Sequence, residues 1–276
     1  MQVTKMGHQP AFKDDDRENE IDGDLTIPAI LETSHLVWEA SPALGVQRKR
    51  LELIGQSLPQ LTTLVCFAPG SNFAVHTHDG GEEFLVLSGI FSDASGDYKA
   101  GSYVRNPPGT RHAPFTRDGC TILVKLRQFQ PGDNRQCSID TRQADTNLWH
   151  EELAGIKSLM LHNYRDEQVQ LLRPLPDTLM AAYNFYTGVE IFVTEGRLSI
   201  DQRDMSAGCW LRYPLASRLK LQTEEGCLLY VKQGPASRYG KTCLWRLIEM
   251  NIHSILCCKP EMADVNPPLT AQPAEG

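Results

Sequence analysis

From residue 30 to residue 233 the apolar residues come in short runs rich in β-branched and aromatic side chains, and the runs stop at Gly, Pro, Asp or Asn. "LTTLVCFA", "EEFLVLSG", "GSYVRNP" and "CTILVKL" are four of them. Helical periodicity is weak across the same span. Short apolar runs closed by turn formers predict β-strands, and "SDASGD" between two of them predicts a hairpin. Many short strands at regular spacing predict a sandwich or a barrel.

The pattern occurs twice. The segment that begins at Gly80 lies without a gap on the segment that begins at Thr187, a shift of 107 residues. Gly81 falls on Gly188, Glu83 on Glu190, Gly89 on Gly196, Gly101 on Gly208, Arg105 on Arg212, Pro107 on Pro214 and Cys120 on Cys227. Turn glycines, a proline and core positions are what a duplicated fold keeps. The expected organisation is an acidic leader at 1–29, a first barrel at 30–140, a second at 146–233 and an extension at 234–276. A short helix near 241–257 is expected in that extension.

Charge alters this picture only at the N-terminus. The net charge of the 276-residue chain is −7, and "DDDRENEIDGD" at 14–24 carries −6 of it. Such a stretch predicts a solvated, disordered leader. The nearly neutral remainder offers no basic footprint for nucleic acid. No long apolar run predicts a membrane span, and "MQVTKMGHQP" has no secretory h-region, so a cytoplasmic protein is expected. The eight cysteines include no C-x-x-C pair and are expected to be small core residues.

The candidate chemistry lies in "GSNFAVHTHDGGEEFLVLSG" at 70–89. His76 and His78 are two apart, so on a strand they project from one face. A turn at Asp79-Gly80-Gly81 brings Glu82 beside them on the next strand. Downstream, "GSYVRNPPGTRH" ends in a turn able to aim His112 into the same pocket. Imidazoles with a carboxylate suit zinc, iron, manganese, nickel or copper.

The spacing resembles the cupin superfamily. Gly70, five residues, His76-x-His78, three residues, Glu82, six residues and Gly89 match its first motif. Gly101, five residues, Pro107-x-Gly109, two residues and His112 match its second, with Thr116 where the usual asparagine stands. "HTHDGGEEFLVLSGIFSDASGDYKAGSYVRNPPGTRH" is similar to the cupin domain of the ChrR group of anti-sigma factors, strongly over 34–137 and weakly over 146–233. The resemblance implies an all-β chain of two tandem RmlC-like jelly-roll barrels. It implies His76, His78, Glu82 and His112 as ligands of one divalent metal, zinc first, with iron, manganese or nickel as alternatives. A sensory or regulatory role follows by resemblance, and a metal-dependent dioxygenase acting on a diketone- or flavonol-like substrate is the alternative. The group's sigma-binding H-x3-C-x2-C motif is lacking, so sigma-factor binding is not carried over. A small-molecule ligand at the metal is the expected partner. The expected assembly is a monomer with paired barrels, or a homodimer.

The 107-residue shift carries His76, His78, Glu82 and His112 onto Tyr183, Phe185, Val189 and Leu219. The second barrel is therefore expected to hold no metal. Glu83 and Arg105 recur as Glu190 and Arg212, which favours structural roles for both.

Overall fold

A computed structural model describes residues 20–55, 57–144 and 146–239. The first repeat supplies Ala29–Glu32 (β1), Glu39–Ala40 (β2), Val46–Ile54 (β3), Gln60–Phe67 (β4), His76–Thr77 (β5), Glu82–Asp93 (β6), Gly96–Lys99 (β7), Ser102–Asn106 (β8), Arg111–His112 (β9) and Cys120–Leu126 (β10). The second supplies Cys137–Asp140 (β11), His150–Leu153 (β12), Ile156–Tyr164 (β13), Glu167–Pro174 (β14), Thr178–Phe185 (β15), Val189–Ile200 (β16), Arg203–Ser206 (β17), Cys209–Tyr213 (β18), Ser217–Thr223 (β19) and Cys227–Gln233 (β20). All pairings are antiparallel. One large sheet runs β11-β8-β6-β10-β4-β3-β2 and the other runs β1-β18-β16-β20-β14-β13-β12. Among the described residues the only helical elements are three short 3-10 turns, and no helix is long and apolar enough to cross a membrane.

Each barrel has its own interior, and the two large sheets face one another. Val104 of β8 packs in the first interior with Phe84, Phe91 and Val124. Its neighbour Tyr103 points the other way, into a shared layer with Leu51, Leu123, Leu171, Phe192, Trp210 and Tyr230. Every residue of β8 and β18 is buried, because each strand has a core on both faces. β19 has solvent on one face instead. Leu219, Leu221 and Thr223 go in while Arg218, Lys220 and Gln222 go out.

The glycine repeated as Gly89 and Gly196 has a steric origin. Gly89 has φ +73°, and a β-carbon there would lie 2.0 Å from the Gly119 carbonyl oxygen. Gly196 has φ +75°, with the Gly226 oxygen 2.3 Å away. Only glycine satisfies both demands.

The edge strands are exchanged between the repeats. β1, from the first repeat, closes the second sheet with Ala29 opposite Arg212 and Glu32 opposite Cys209. β11, from the second, closes the first sheet with Cys137 opposite Arg105 and Asp140 opposite Ser102. The registers coincide when β8 is laid on β18 with a shift of 107 residues and β1 on β11 with a shift of 108. Thr33 Oγ1 donates to Gly208 O at 2.7 Å, and Thr141 Oγ1 donates to Gly101 O at 2.6 Å.

Strand β11 lies within the stretch expected for the first barrel and pairs in that barrel's sheet. One expected boundary changes. Residues 20–29, expected in a disordered leader, are held in place. Ile21 bridges Leu53, and the Arg212 guanidinium donates to the carbonyls of Asp22 and Asp24. Residues 1–19, and the expected helix near 241–257, lie outside the described residues. The start of the extension is anchored, since Arg238 pairs with Glu52 and Glu190.

Between the sheets lies a buried layer of charge. Lys125 of the first repeat donates to Glu190 of the second, and Lys232 of the second donates to Glu83 of the first. Arg105 joins Glu83, Asp133 and Glu167, and Arg212 joins Glu52. Burial alone would raise the Glu83 carboxyl, but Lys232 and Arg105 outweigh it and hold it down at about 2. Glu83 and Arg105 thus serve the contact between barrels. A buried carboxylate is tolerated there because each oxygen meets a cation or a hydroxyl, the latter from Tyr230.

Candidate metal centre

The four expected residues converge at the mouth of the first barrel. β5 pairs with β9 so that His76 faces His112. His78 N donates to Thr110 O at 2.9 Å, and Gly109 N donates to His78 O at 2.9 Å, which locks the Pro-Pro-Gly turn against the histidine strand. The ring centroids lie 4.7, 5.0 and 4.8 Å apart for the pairs 76–78, 76–112 and 78–112. Nitrogens of the three rings all fall within 4.8 Å of one another. His78 Nε2 and His112 Nε2 approach to 2.9 Å. Glu82 Oε2 stands 3.4 Å from the first and 3.5 Å from the second.

The outward Nδ1 atoms of His76 and His112 are held, which aims their Nε2 atoms inward. His76 Nδ1 contacts Ala74 O at 3.0 Å, and His112 Nδ1 contacts Asp93 Oδ2 at 3.0 Å. With the Nδ1 proton donated outward, the Nε2 lone pair of each ring points into the cluster. Asn106 Nδ2 donates to Glu82 Oε2 at 3.2 Å. Burial pushes His78 down to about 4, helped by the neighbouring His76, so its imidazole is neutral and able to ligate at pH 7. Burial raises the Glu82 carboxyl despite His112 and the Asn106 hydrogen bond. A dication among these atoms would supply the charge that this carboxylate lacks. Three imidazoles and one carboxylate, crowded together, form a donor set that fits a first-row divalent metal.

Asp93 and Asn106 were not foreseen. Ser92 and Phe115 exchange backbone hydrogen bonds of 2.9 and 2.8 Å, which brings the end of β6 beside His112. Asn106 faces Glu82 across β6 and β8. Thr116, in place of the usual asparagine, tethers its loop: its hydroxyl donates to Ile90 O at 2.7 Å and accepts from Gly119 N at 3.1 Å. Thr223 makes the equivalent bonds to Arg197 O and Gly226 N in the second barrel, so this role belongs to the fold.

A cavity of about 640 Å³ opens onto the cluster. His76, His78 and Glu82 lie on its wall with Val46, Val65, Phe67 and Ile122. The second barrel is filled at the same place. Phe185, Val189 and Leu219 are buried in its core, with Tyr183 packed against them. Ile200 stands where the first barrel has Asp93, and it too is fully buried. A second group, Asp133, His162 and Glu167, also has metal-like spacing. Arg105 and Lys232 already sit among those carboxylates, so it belongs to the charge layer between the barrels.

Residues 27–130 and 137–237 each match the family described as ChrR Cupin-like domain, and the chain belongs to that family. A search of curated proteins finds no match. Solved structures share the architecture at low identity. A protein described as a putative dioxygenase from Nostoc punctiforme aligns with TM-score 0.65 at 15% identity, covering 76% of this chain and 84% of its own. Protein Ylba of E. coli gives 0.59 at 14%, covering 81% and 98%. A Bacillus subtilis oxalate decarboxylase variant gives 0.53 at 11%, covering 74% and 76%. These likenesses show the fold, a pair of cupin barrels.

Proposed function

We propose that the first barrel holds one divalent metal through His76, His78, Glu82 and His112 and offers it to a small, oxygen-bearing ligand. The observation that carries this reading is the cavity of about 640 Å³ with three of those residues on its wall. A closed tetrahedral zinc site needs no such approach. Six-coordinate iron, manganese or nickel keeps two positions beside four protein ligands, and when bound it would polarise a chelating oxygen or activate dioxygen. Asp93 and Asn106 fix the ligating atoms, and the apolar wall excludes water from the bound molecule.

The reaction class favoured is oxygen-dependent cleavage of a diketone- or enol-type substrate, and the structural neighbour described as a putative dioxygenase supports that choice. A second reading, ligand binding in a regulatory role, is favoured by a specific observation. Asp79 and Glu82 are the only carboxylates on the described cavity wall, and Glu82 is assigned to the metal. Few groups are left to move protons. Elemental analysis after anaerobic, chelator-free purification, followed by oxygen uptake with a β-diketone, separates the two. Iron with uptake supports the enzyme, and stoichiometric zinc without uptake supports the binding role. A protein that retains no divalent metal at all refutes both.

A further inference from the structure

We infer that Arg127 and Phe129 are positioning residues of the metal centre. They clamp the turn Asp79-Gly80-Gly81, which carries His78 at one end and Glu82 at the other. Both act through that turn. The inference rests on the metal site proposed above and adds what holds two of its four ligands at a fixed separation.

The chain leaves β10 at Leu126 and lies against the turn, where Arg127 N donates to Gly81 O at 3.0 Å. The next side chains occupy the space that the two glycines leave open. A β-carbon on Gly80 would lie 2.5 Å from Arg127 Cγ, and one on Gly81 would lie 2.5 Å from Phe129 Cδ2. The far ends of the clamp are tied down as well. Arg127 Nε donates to Pro59 O at 2.7 Å, and Asp79 is close enough for its charge to act on the guanidinium. The Phe129 ring lies under the Arg105 guanidinium, whose carbon is 4.0 Å from the ring centroid. Arg105 is buried and paired with Glu83, Asp133 and Glu167, the last from β14 of the second repeat. The brace thus begins at the metal-seeking residues and ends in the barrel that has none.

The second barrel supplies an internal control. Arg127 has φ +59°, a left-handed backbone that is strained for any residue with a β-carbon. The 107-residue shift carries it onto Gly234, which takes φ +69° without that strain. Gly234 N donates to Gly188 O at 3.2 Å, the counterpart of the bond from Arg127 to Gly81, so the backbone course is the same. The shift carries Phe129 onto Ala236 and Gly80 onto Thr187. Both clamping side chains are gone there, and the turn carries a β-carbon where the first barrel has none. A clamp needed for folding alone would be expected in both copies. This one stands only beside the histidines, and it is kept there against backbone strain.

The test uses the full chain with cobalt(II) as the probe ion. Competition with a chelating dye reads affinity, the visible absorption of the loaded protein reads coordination geometry, and urea unfolding of the metal-free chain reads stability. Arg127→Gly copies the second barrel. It should change the stability of the metal-free chain little, since relieved strain offsets the lost contacts. It should weaken cobalt binding about tenfold or more and alter the spectrum at full occupancy, because His78 and Glu82 are no longer held at one separation. Phe129→Ala should alter affinity and spectrum in the same direction. Phe129→Leu, which refills the space over Gly81, should recover most of the affinity, and it keeps the test readable if the alanine variant folds poorly. Wild-type affinity in Arg127→Gly and Phe129→Ala, or weaker binding with an unchanged spectrum, would overturn the inference and leave the metal centre standing. A wild-type chain that binds no cobalt would overturn the inference together with the metal site beneath it.

Discussion

Tyr183 faces Leu219 across β15 and β19, in the register that sets His76 opposite His112 in the first barrel. The backbone frame of the candidate metal centre is thus present twice, and its donor set once. Apolar volume replaces the ligands, with Phe185 and Val189 fully buried behind Tyr183. An ion placed there would be desolvated without compensation, at a cost of several kcal/mol.

One metal per chain is therefore expected. Elemental analysis should give a ratio near one for the wild type and close to zero for His112→Ala. A wild-type ratio near two would contradict the assignment of the second barrel.

The adjacent glutamates should separate cleanly. Glu82→Gln should weaken metal binding with a small effect on folding. Glu83→Gln should keep the metal but lower stability by about 3–5 kcal/mol, because Lys232 and Arg105 stay buried facing a neutral amide. Urea unfolding beside metal analysis reads both, and the opposite pattern would mean that the ligand register is off by one residue.

Acid should expose the same network. The Glu83 carboxyl is held at about 2 in the fold, below the ordinary 4.5. A depressed carboxylate stabilises fully above its unfolded value and loses that contribution as pH falls through its folded value. The stability gap between the wild type and Glu83→Gln should be constant above about pH 5 and shrink by about 3 kcal/mol between pH 4.5 and 2. A gap that does not change over that window would argue against an ionised Glu83.

Asp93 never touches the centre of the cluster, yet it fixes the outward nitrogen of His112. Asp93→Asn should weaken metal affinity by about tenfold to a hundredfold without changing the number of sites. Competition with a chelating dye measures this, and an unchanged affinity would remove Asp93 from the site.

Trimming the N-terminus should be felt far along the chain. A chain beginning at Thr26 lacks the Asp22 and Asp24 carbonyls that accept from Arg212, whose side chain is buried. Loss of those acceptors should cost about 2–4 kcal/mol. An unaltered melting temperature would show that residues 20–25 contribute nothing to the fold.

The sequence made some of this legible and hid the rest for physical reasons. The duplication was visible because the turn glycines and core positions keep one gap-free spacing from Gly80 onward. The four metal-seeking residues were visible because strand alternation and two tight turns fix their relative positions locally. Asp93 and Asn106 were not, since each acts across a strand pairing that no local spacing encodes. The exchanged strands were missed for a related reason. Thr33 and Thr141 correspond at 108 residues rather than 107, so a gap-free comparison stops short of them. Nothing in "AILE" or "CSID" says which sheet it will join. The anchoring of residues 20–29 was hidden by their acidity, because Arg212 takes their backbone carbonyls and leaves the charged side chains outside.

The exchange of β1 and β11 makes the two halves unequal in chemistry and equal in dependence. A single repeat expressed alone would carry an edge strand with no sheet to join and a sheet with an unclosed edge. Its simplest remedy is to trade that strand with another copy of itself, which would restore the present geometry as a two-chain assembly. The joined chain needs no such encounter, and one half can carry apolar residues where the other carries histidines while still lending its strand. Substitution can erase the chemistry of the second half at little risk to the first, whereas deletion of that half would unmake the barrel in which the histidines stand.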